Sequence, residues 1–349
     1  MKKINRNSRR NFITYGLVIV AYVILQSMVS SGSITSSLKG MLVPICAYVV
    51  MAVSLNLTVG VLGELSLGHA GFMSVGAFTG VTAAMALQNI VPSAPLRLLI
   101  GMVVGAVFAG IAGVLIGIPV MRLKGDYLAI VTLAFGEIIK SIVTNLYVGV
   151  DENGLQMSML TNKLALGEGG RIIINGPMGI TTIEKISTFT AGFLLVMVSL
   201  IIIFNLVNSR AGRAIMSIRD NRIAAESVGI NVTKYRMMAF VTSAALAGAA
   251  GTLFAMNYST IIATKFDFNT SILVLVFVVL GGLGNMLGSI IAAAALTILP
   301  EVLRQFQDYR MLVYAIVLIL VMLVTNNDQL KALIQRIIPR RKEAKEDGE

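Results

Sequence analysis

Four ionisable side chains lie within apolar surroundings in this 349-residue chain: Glu64, His69, Glu137 and Lys140. A charge at membrane depth is costly unless it is paired or wetted, and it marks either an interior contact or a polar path. Glu137 and Lys140 stand three apart, the spacing at which side chains of one helix meet. The simpler reading pairs them with each other, and Glu137 is kept as a pathway candidate. Glu64, Ser66 and His69 belong to GELSLGHAGFMSVGAFTG (63–80), where Gly recurs every third to fifth residue. Such a segment is expected to be broken or re-entrant, which is tolerated only where protein or water covers it. Its polar groups either line a cavity or sit in a tightly packed, kinked helix with His69 bonded to a neighbour. A proton relay needs more than one His and one Glu, so ion coupling is not supported.

Motifs for other chemistry are missing. The chain has no GxxxxGK[ST], so it carries no ATP-binding P-loop of its own. It has no HExxH, its single His excludes a His-rich metal site, and no GxSxG elbow is present. The lone Cys46 lies in an apolar run and can form neither an internal disulfide nor a cysteine metal site. No nucleophile, base and oxyanion donor come together. The expectation is transport rather than enzymology, with no catalytic residues, no metal and no cofactor.

The elements that must position these groups are membrane helices. The chain is 56% hydrophobic and 13% charged, against about one-quarter charged in soluble domains. Phe12–Ser30, Met41–Gly60, Leu96–Val120 and Ser187–Val207 each reach the roughly 20 residues that cross a bilayer. They are continuous, unlike the alternating segments of a barrel, so the fold class is all-α and polytopic. The net charge of +11 does not imply nucleic acid, because the bases flank the spans as the positive-inside bias requires. SRRNFI (8–13) resembles a twin-arginine signal but reads as such a basic flank, since many further spans follow.

Three basic clusters are expected on the cytoplasmic side. They are Lys2, Lys3, Arg6, Arg9 and Arg10; then Arg210, Arg213, Arg219, Arg222, Lys234 and Arg236; then Lys331, Arg336, Arg340, Arg341, Lys342 and Lys345. Even numbers of crossings must separate them. Six candidates precede the central cluster: 12–30, 41–60, 64–88, 96–120, 126–148 and 187–207. After it come 237–256, the long run 268–299 and 311–325. Splitting 268–299 at GGLGN (281–285) gives four and ten in all, because Gly weakens a helix by about 1 kcal/mol relative to Ala. The resulting plan has a basic N-terminus (1–11), a transmembrane domain (12–325) with an external loop (149–186), and a basic tail (326–349). Both termini are cytoplasmic in a multi-pass protein of the plasma (cytoplasmic) membrane. Glycines in 101–117 and SAALAGAAG (243–251) mark close helix packing, against a neighbouring helix or a partner subunit.

The polar stretch RDNRIAAESVGINVTKYR (219–236), within a cytoplasmic segment 208–236, reads as more than a topology signal. Asp220 and Asn221 are candidate N-caps for a short helix through Ala224, Ala225 and Val228, and Gly229 is placed to end it in the left-handed conformation. A capped, solvent-facing helix with apolar Ile223 and Val228 is an element that a separate ATPase could push.

Five blocks resemble the LivM-type permease subunit of branched-chain amino acid ABC importers. They are LNLTVGVLGELSLGHAGF (55–72), RLKGDYLAIVTLAFGEI (122–138), NGPMGI (175–180), SRAGRAIMSIRDNRIAAESVGINVTKYRMMAF (209–240) and VLGGLGNMLGSIIAAAAL (279–296). The resemblance implies about ten crossings in two inverted five-helix halves, like permeases of the ribose and vitamin B12 type. It also implies a second, LivH-like permease, two cytoplasmic ATPase subunits that bind the ATP, and an external binding protein, for which 149–186 is the candidate dock. Surrounding partners are the substrate and membrane lipids, with no nucleic acid. Ala224, Ala225, Glu226 and Gly229 match the family's coupling segment, to which Arg219, Asp220 and Asn221 are joined. Branched-chain amino acids are the expected substrate; urea, short amides or other amino acids are alternatives within the family. A secondary transporter working without ATPases is the alternative from another class.

Overall fold

The computed structural model describes residues 6–88, 90–123, 126–151, 154–159 and 170–303, with residues 312, 315, 316 and 319 beyond them. Apart from those four positions the expected crossing 311–325 lies outside the described residues, as do the tail 326–349, the first five residues and part of the loop 149–186. The chain divides into two compact units, Met1–Ala295 and Leu296–Glu349. The first holds the bundle and every feature discussed below; of the second, the end of α11 and four isolated positions are described.

Helices dominate. In order they are α1 (Arg6–Ser30), α2 (Ser36–Asn56), α3 (His69–Ala86), α4 (Ala94–Val120), α5 (Asp126–Thr144), α6 (Phe189–Asn208), α7 (Arg210–Asp220), α8 (Arg222–Ser227), α9 (Val232–Ala255), α10 (Phe268–Gly281) and α11 (Met286–Val302). Among the described residues, seven helical segments are long and apolar enough to cross a membrane: those containing α1, α2, α4, α5, α6, α9 and α10. α3 falls outside that set because Gly, Ser, His and Thr dilute its apolar content, and α11 because it has 17 residues.

α3, α4 and α9 form the centre, and small residues explain why. Lipid gives helices no hydrophobic reason to associate, so close backbone approach and interhelical hydrogen bonds must do it. Gly76, Gly105 and Gly248 converge, and Thr252 Oγ1 donates to Gly76 O at 2.8 Å. Gly113 and Gly117 face Ala244 and Met237 of α9. The close packing expected for this glycine run is made with an internal helix, α9.

Two departures from the expected elements have physical causes. First, the span expected at 126–148 ends at Thr144, and Leu146–Asp151 is a strand, β1. With β2 (Gly154–Met159) and β3 (Arg171–Asn175) it makes an antiparallel sheet in the order β2-β1-β3. The expectation of an all-α chain missed this sheet because Leu146, Val148 and Val150 continue the apolar run of α5. Second, the third crossing expected at 64–88 begins at His69. α2 passes through a π-helical turn, Leu57–Leu62, which Gly63 ends at φ +81°, and 63–68 runs without regular helix before α3. A left-handed residue here requires Gly, since other side chains are strained at that φ.

The 268–299 run divides into α10 and α11, as the split at GGLGN anticipates. Gly282 and Gly284 turn the chain at φ +92° and +78°. Asn56, buried in α2, holds this turn: its Oδ1 accepts from Gly284 N and its Nδ2 donates to Ser289 Oγ, both at 2.8 Å.

Candidate functional site

The two ends of the bundle differ in chemistry. At one end Arg97, buried at the start of α4, pairs with Glu184 at 2.9 Å. Gln88 donates to Glu184 and accepts from Arg171 of β3, so the ends of α3 and α4 are tied to the sheet. NGPMGI forms a 3-10 turn at Gly176–Met178, and Ile180 then exchanges two backbone hydrogen bonds with Ile261.

At the opposite end lies the bracket of α7 and α8. The Ser209 hydroxyl accepts from Gly212 N and starts α7. The Asn221 side chain accepts from Ala224 N at 3.0 Å, capping α8, while Asp220 instead pairs with Arg219. Gly229 closes α8 at φ +84°, with Ile230 N returning to Ala225 O. The fold here is two helices meeting at Asn221, where the sequence reading has one short helix. Ile218, Ala225 and Val232 form the bracket's small core, with Ile230 and Tyr235 against it. Ile223 and Val228 point outward, 80% and 75% exposed. Glu226 pairs with Arg222 one turn away, at 3.1 Å.

The bracket is joined to the broken segment. Arg219 Nη1 donates to Gly60 O at 3.1 Å, and its aliphatic stem packs on Gly63. Glu64 forms an ion pair with Arg236, at the first turns of α9. Arg236 is 3% exposed, and it also donates to Met121 O at 2.7 Å and Leu123 O at 3.5 Å beyond the end of α4. One guanidinium thus ties the break, α4 and α9 together. A cavity of about 430 Å³ opens here, lined by Gly63, Glu64, Leu123, Arg219, Arg222 and Arg236 among others.

The remaining candidates occupy different places. His69 is buried at the start of α3, and its Nε2 lies 2.8 Å from Ser54 Oγ. That hydroxyl donates to Met51 O, so the contact is satisfied with the proton on Nε2. Ala70 N, beside it, donates to Ser271 Oγ of α10. Ser66 is buried and its Oγ has no hydrogen-bond partner among the described residues, as is true of Glu64 Oε2. Glu137 and Lys140 pair at 2.9 Å on the uncovered side of α5. The described residues therefore do not bring Glu64, Ser66, His69 and Glu137 into one pocket: Glu64 belongs to the bracket end, His69 to the α2–α3–α10 contact, and Glu137 to the face of α5. Among the described residues no group of three or more His, Cys, Asp or Glu is placed to hold a metal.

The ion pairs of two basic residues were not anticipated by sequence reasoning, which counts Arg236 only as part of a basic cluster. Arg97 and Arg236 are both buried and both pair with a distant carboxylate. Arg97 stands in the first turn of α4 amid apolar neighbours, and that context was an available signal; Arg236 follows Lys234 and Tyr235 in a polar stretch and had none.

The sequence model of the family described as "Branched-chain amino acid transport system / permease component" matches residues 37–322. The chain belongs to this family. It is 34% identical over 335 residues to the high-affinity branched-chain amino acid transport system permease protein LivM of Salmonella typhimurium, covering 90% of this chain and 73% of that protein. The LivM protein of Escherichia coli is likewise 34% identical over 321 residues, 88% of this chain and 73% of that one. The fructose import permease protein FruG of Bifidobacterium longum is 27% identical over 244 residues, 67% of each chain. No solved structure matches the chain. As a member of this permease family with seven helical segments, among the described residues, long and apolar enough to cross a membrane, it is a multi-pass membrane protein.

Proposed function

We propose that this chain is one permease subunit of an ABC importer for branched-chain amino acids, driven by separate ATPases that dock on the α7–α8 bracket. The observation that carries this reading is the bracket itself: capped by Asn221, closed by Gly229, presenting Ile223 and Val228 outward, and tied through Arg219 to Gly60 and Gly63. Apolar side chains at such exposure on a basic, capped helix pair suit insertion into a partner's groove. Their rigid attachment to the broken segment gives a push there something to move. Arg219, Asp220, Asn221, Ala224, Glu226 and Gly229 form the coupling surface, on the cytoplasmic side by the positive-inside argument, whereas Ala225, expected in it, is packed in the bracket's core and supports it from beneath. The chain itself binds no cofactor; ATP belongs to the partners.

The sheet end, with β1–β3 and the NGPMGI turn, then faces outside and receives the substrate-binding protein. A second, LivH-like permease completes the pathway. Ten crossings in two inverted halves are supported by a repeated order: α2, an irregular segment and α3 in one half, and α9, the irregular segment 256–262 with a 3-10 turn, and α10 in the other. The names of the two LivM proteins favour branched-chain amino acids over sugars.

Ile223→Asp and Val228→Asp test the docking role. Both side chains lie outside the packed core, so insertion and thermal stability should hold within about 0.5 kcal/mol. ATP hydrolysis stimulated by loaded binding protein, and uptake with it, should fall at least roughly tenfold, as for an interface anchor. Uptake within twofold of the parent complex for both variants would remove the bracket as the coupling surface.

A further inference from the structure

The Glu137–Lys140 pair is unusual in where it sits. Glu137 lies seven positions before Thr144, the end of α5, which at 1.5 Å per residue is roughly 10 Å below the helix end. Its side chain is 45% exposed and that of Lys140 29%. A carboxylate at that depth cannot face hydrocarbon without heavy cost. This side of α5 must therefore meet water or a polar partner.

The surroundings continue the pattern. At helical spacing, Lys140, Thr144, Glu137 and Ser141 share one polar strip of α5. Ile138 and Ile142, 56% and 42% exposed, form an apolar strip beside it. The 3-10 turn Ala263–Phe266 and the start of α10 pack against α5, and Asp267, the N-cap of α10, lies within electrostatic reach of Lys140. Asp267 is itself occupied with Thr270 N at 3.0 Å and Asn269 Nδ2 at 2.8 Å.

We propose that Glu137 and Lys140 form a passage site for the zwitterionic head of an amino acid, the carboxylate of Glu137 taking the ammonium and the ammonium of Lys140 taking the carboxylate, with the side chain against Ile138 and Ile142. This rests on the amino acid reading given under Proposed function and assigns that reading its contact residues. An α-amino acid carries both charges on one carbon, so it replaces the mutual pairing with two matched pairs and leaves no charge unpaired at depth. A half-exposed ion pair is worth little by itself, so the exchange is close to balanced. That suits a passage site, which must bind well enough to admit and weakly enough to release.

The test uses the assembled complex of both permeases, ATPases and binding protein in proteoliposomes, with leucine as probe. The double variant Glu137→Gln, Lys140→Met removes both charges together and strands neither. Leucine uptake should fall roughly tenfold or more, as expected when charged hydrogen bonds are lost, while assembly and basal ATP hydrolysis persist. Uptake within twofold of the parent overturns the proposal, and leaves the amino acid reading standing if the parent takes up leucine; a parent that takes up none overturns both. If the double variant fails to assemble, Ser141→Cys in a Cys46→Ala background supplies the readout. Modification by a charged methanethiosulfonate, slowed at least roughly threefold by leucine-loaded binding protein during turnover, supports a wetted, substrate-occupied face; no modification, or no protection, overturns it. A loss of uptake that disappears in vesicles of phosphatidylglycerol alone points to a zwitterionic lipid headgroup as the ligand and also overturns the substrate assignment.

Discussion

At the scale of single residues, the Glu64–Arg236 pair changes what Glu64 is for. From sequence alone Glu64 stands with Ser66 and His69 as a pathway candidate, because an acid in a Gly-rich span has no visible partner. Its partner is 172 residues away in a cluster read as a topology signal. Long-range pairing of this kind leaves no local trace, whereas Glu137 and Lys140, three apart, announced theirs. Breaking a largely buried pair strands the survivor, while removing both charges costs much less. Glu64→Gln and Arg236→Met should each lower unfolding stability in detergent by about 2 kcal/mol or more, and the double variant should recover part of that loss. Thermal melts of the four proteins should give a coupling energy on the order of 2 kcal/mol. Strict additivity would mean that the pair holds nothing together and that Arg236 acts only through Met121 O and Leu123 O.

Among the elements, what was legible follows from composition. Gly and Asn at 281–285 mark a break that the structure realises as the α10–α11 turn, and the Asn221 cap and Gly229 stop bound α8 as their residue types require. The sheet was illegible because β1 has the hydrophobicity of the helix before it, and α7 because its amphipathic pattern merges with α8. The π-helical turn had no signal beyond Gly60 and Gly63. The glycines of α3, α4 and α9 permit a sharp comparison. A Cβ at Gly248 would lie 2.5 Å from Gly105 O and closer still to Ala109, while one at Gly110 would meet Ala245 at an ordinary 3.7 Å. Gly248→Ala should therefore cost about 1–3 kcal/mol through overpacking, and Gly110→Ala should change stability by no more than about 0.5 kcal/mol. Equal effects in a melting assay would show that the α4–α9 contact is looser than these distances require.

For the whole molecule, the sidedness of the chain rests on charge, and charge makes a claim that labelling can check. The bracket end carries Arg210, Arg213, Arg219, Arg222, Lys234 and Arg236, while the sheet end mixes Arg97, Arg171 and Lys185 with Asp151 and Glu184. On the positive-inside bias the first would lie in the cytoplasm. In the ten-crossing arrangement proposed above, α1 to α6 would make six passes between the N-terminus and the bracket, and α9, α10 and α11 three more before residue 303. That arrangement requires a further pass through 311–325, which would return the basic residues Lys331–Lys345 to the bracket's side. Cys46 is buried and can be replaced by Ala, which leaves a background for single reporters. Ser227→Cys in α8 and Thr181→Cys after the NGPMGI turn are both exposed positions. With a membrane-impermeant maleimide, Thr181→Cys should react in intact cells, Ser227→Cys only after the membrane is opened, and Lys331→Cys should behave like Ser227→Cys. Reaction of Lys331→Cys from outside would leave nine crossings, since the even count between basic clusters would fail. Reaction of Ser227→Cys from outside would be more serious, because a bracket on that side has no ATPase to meet.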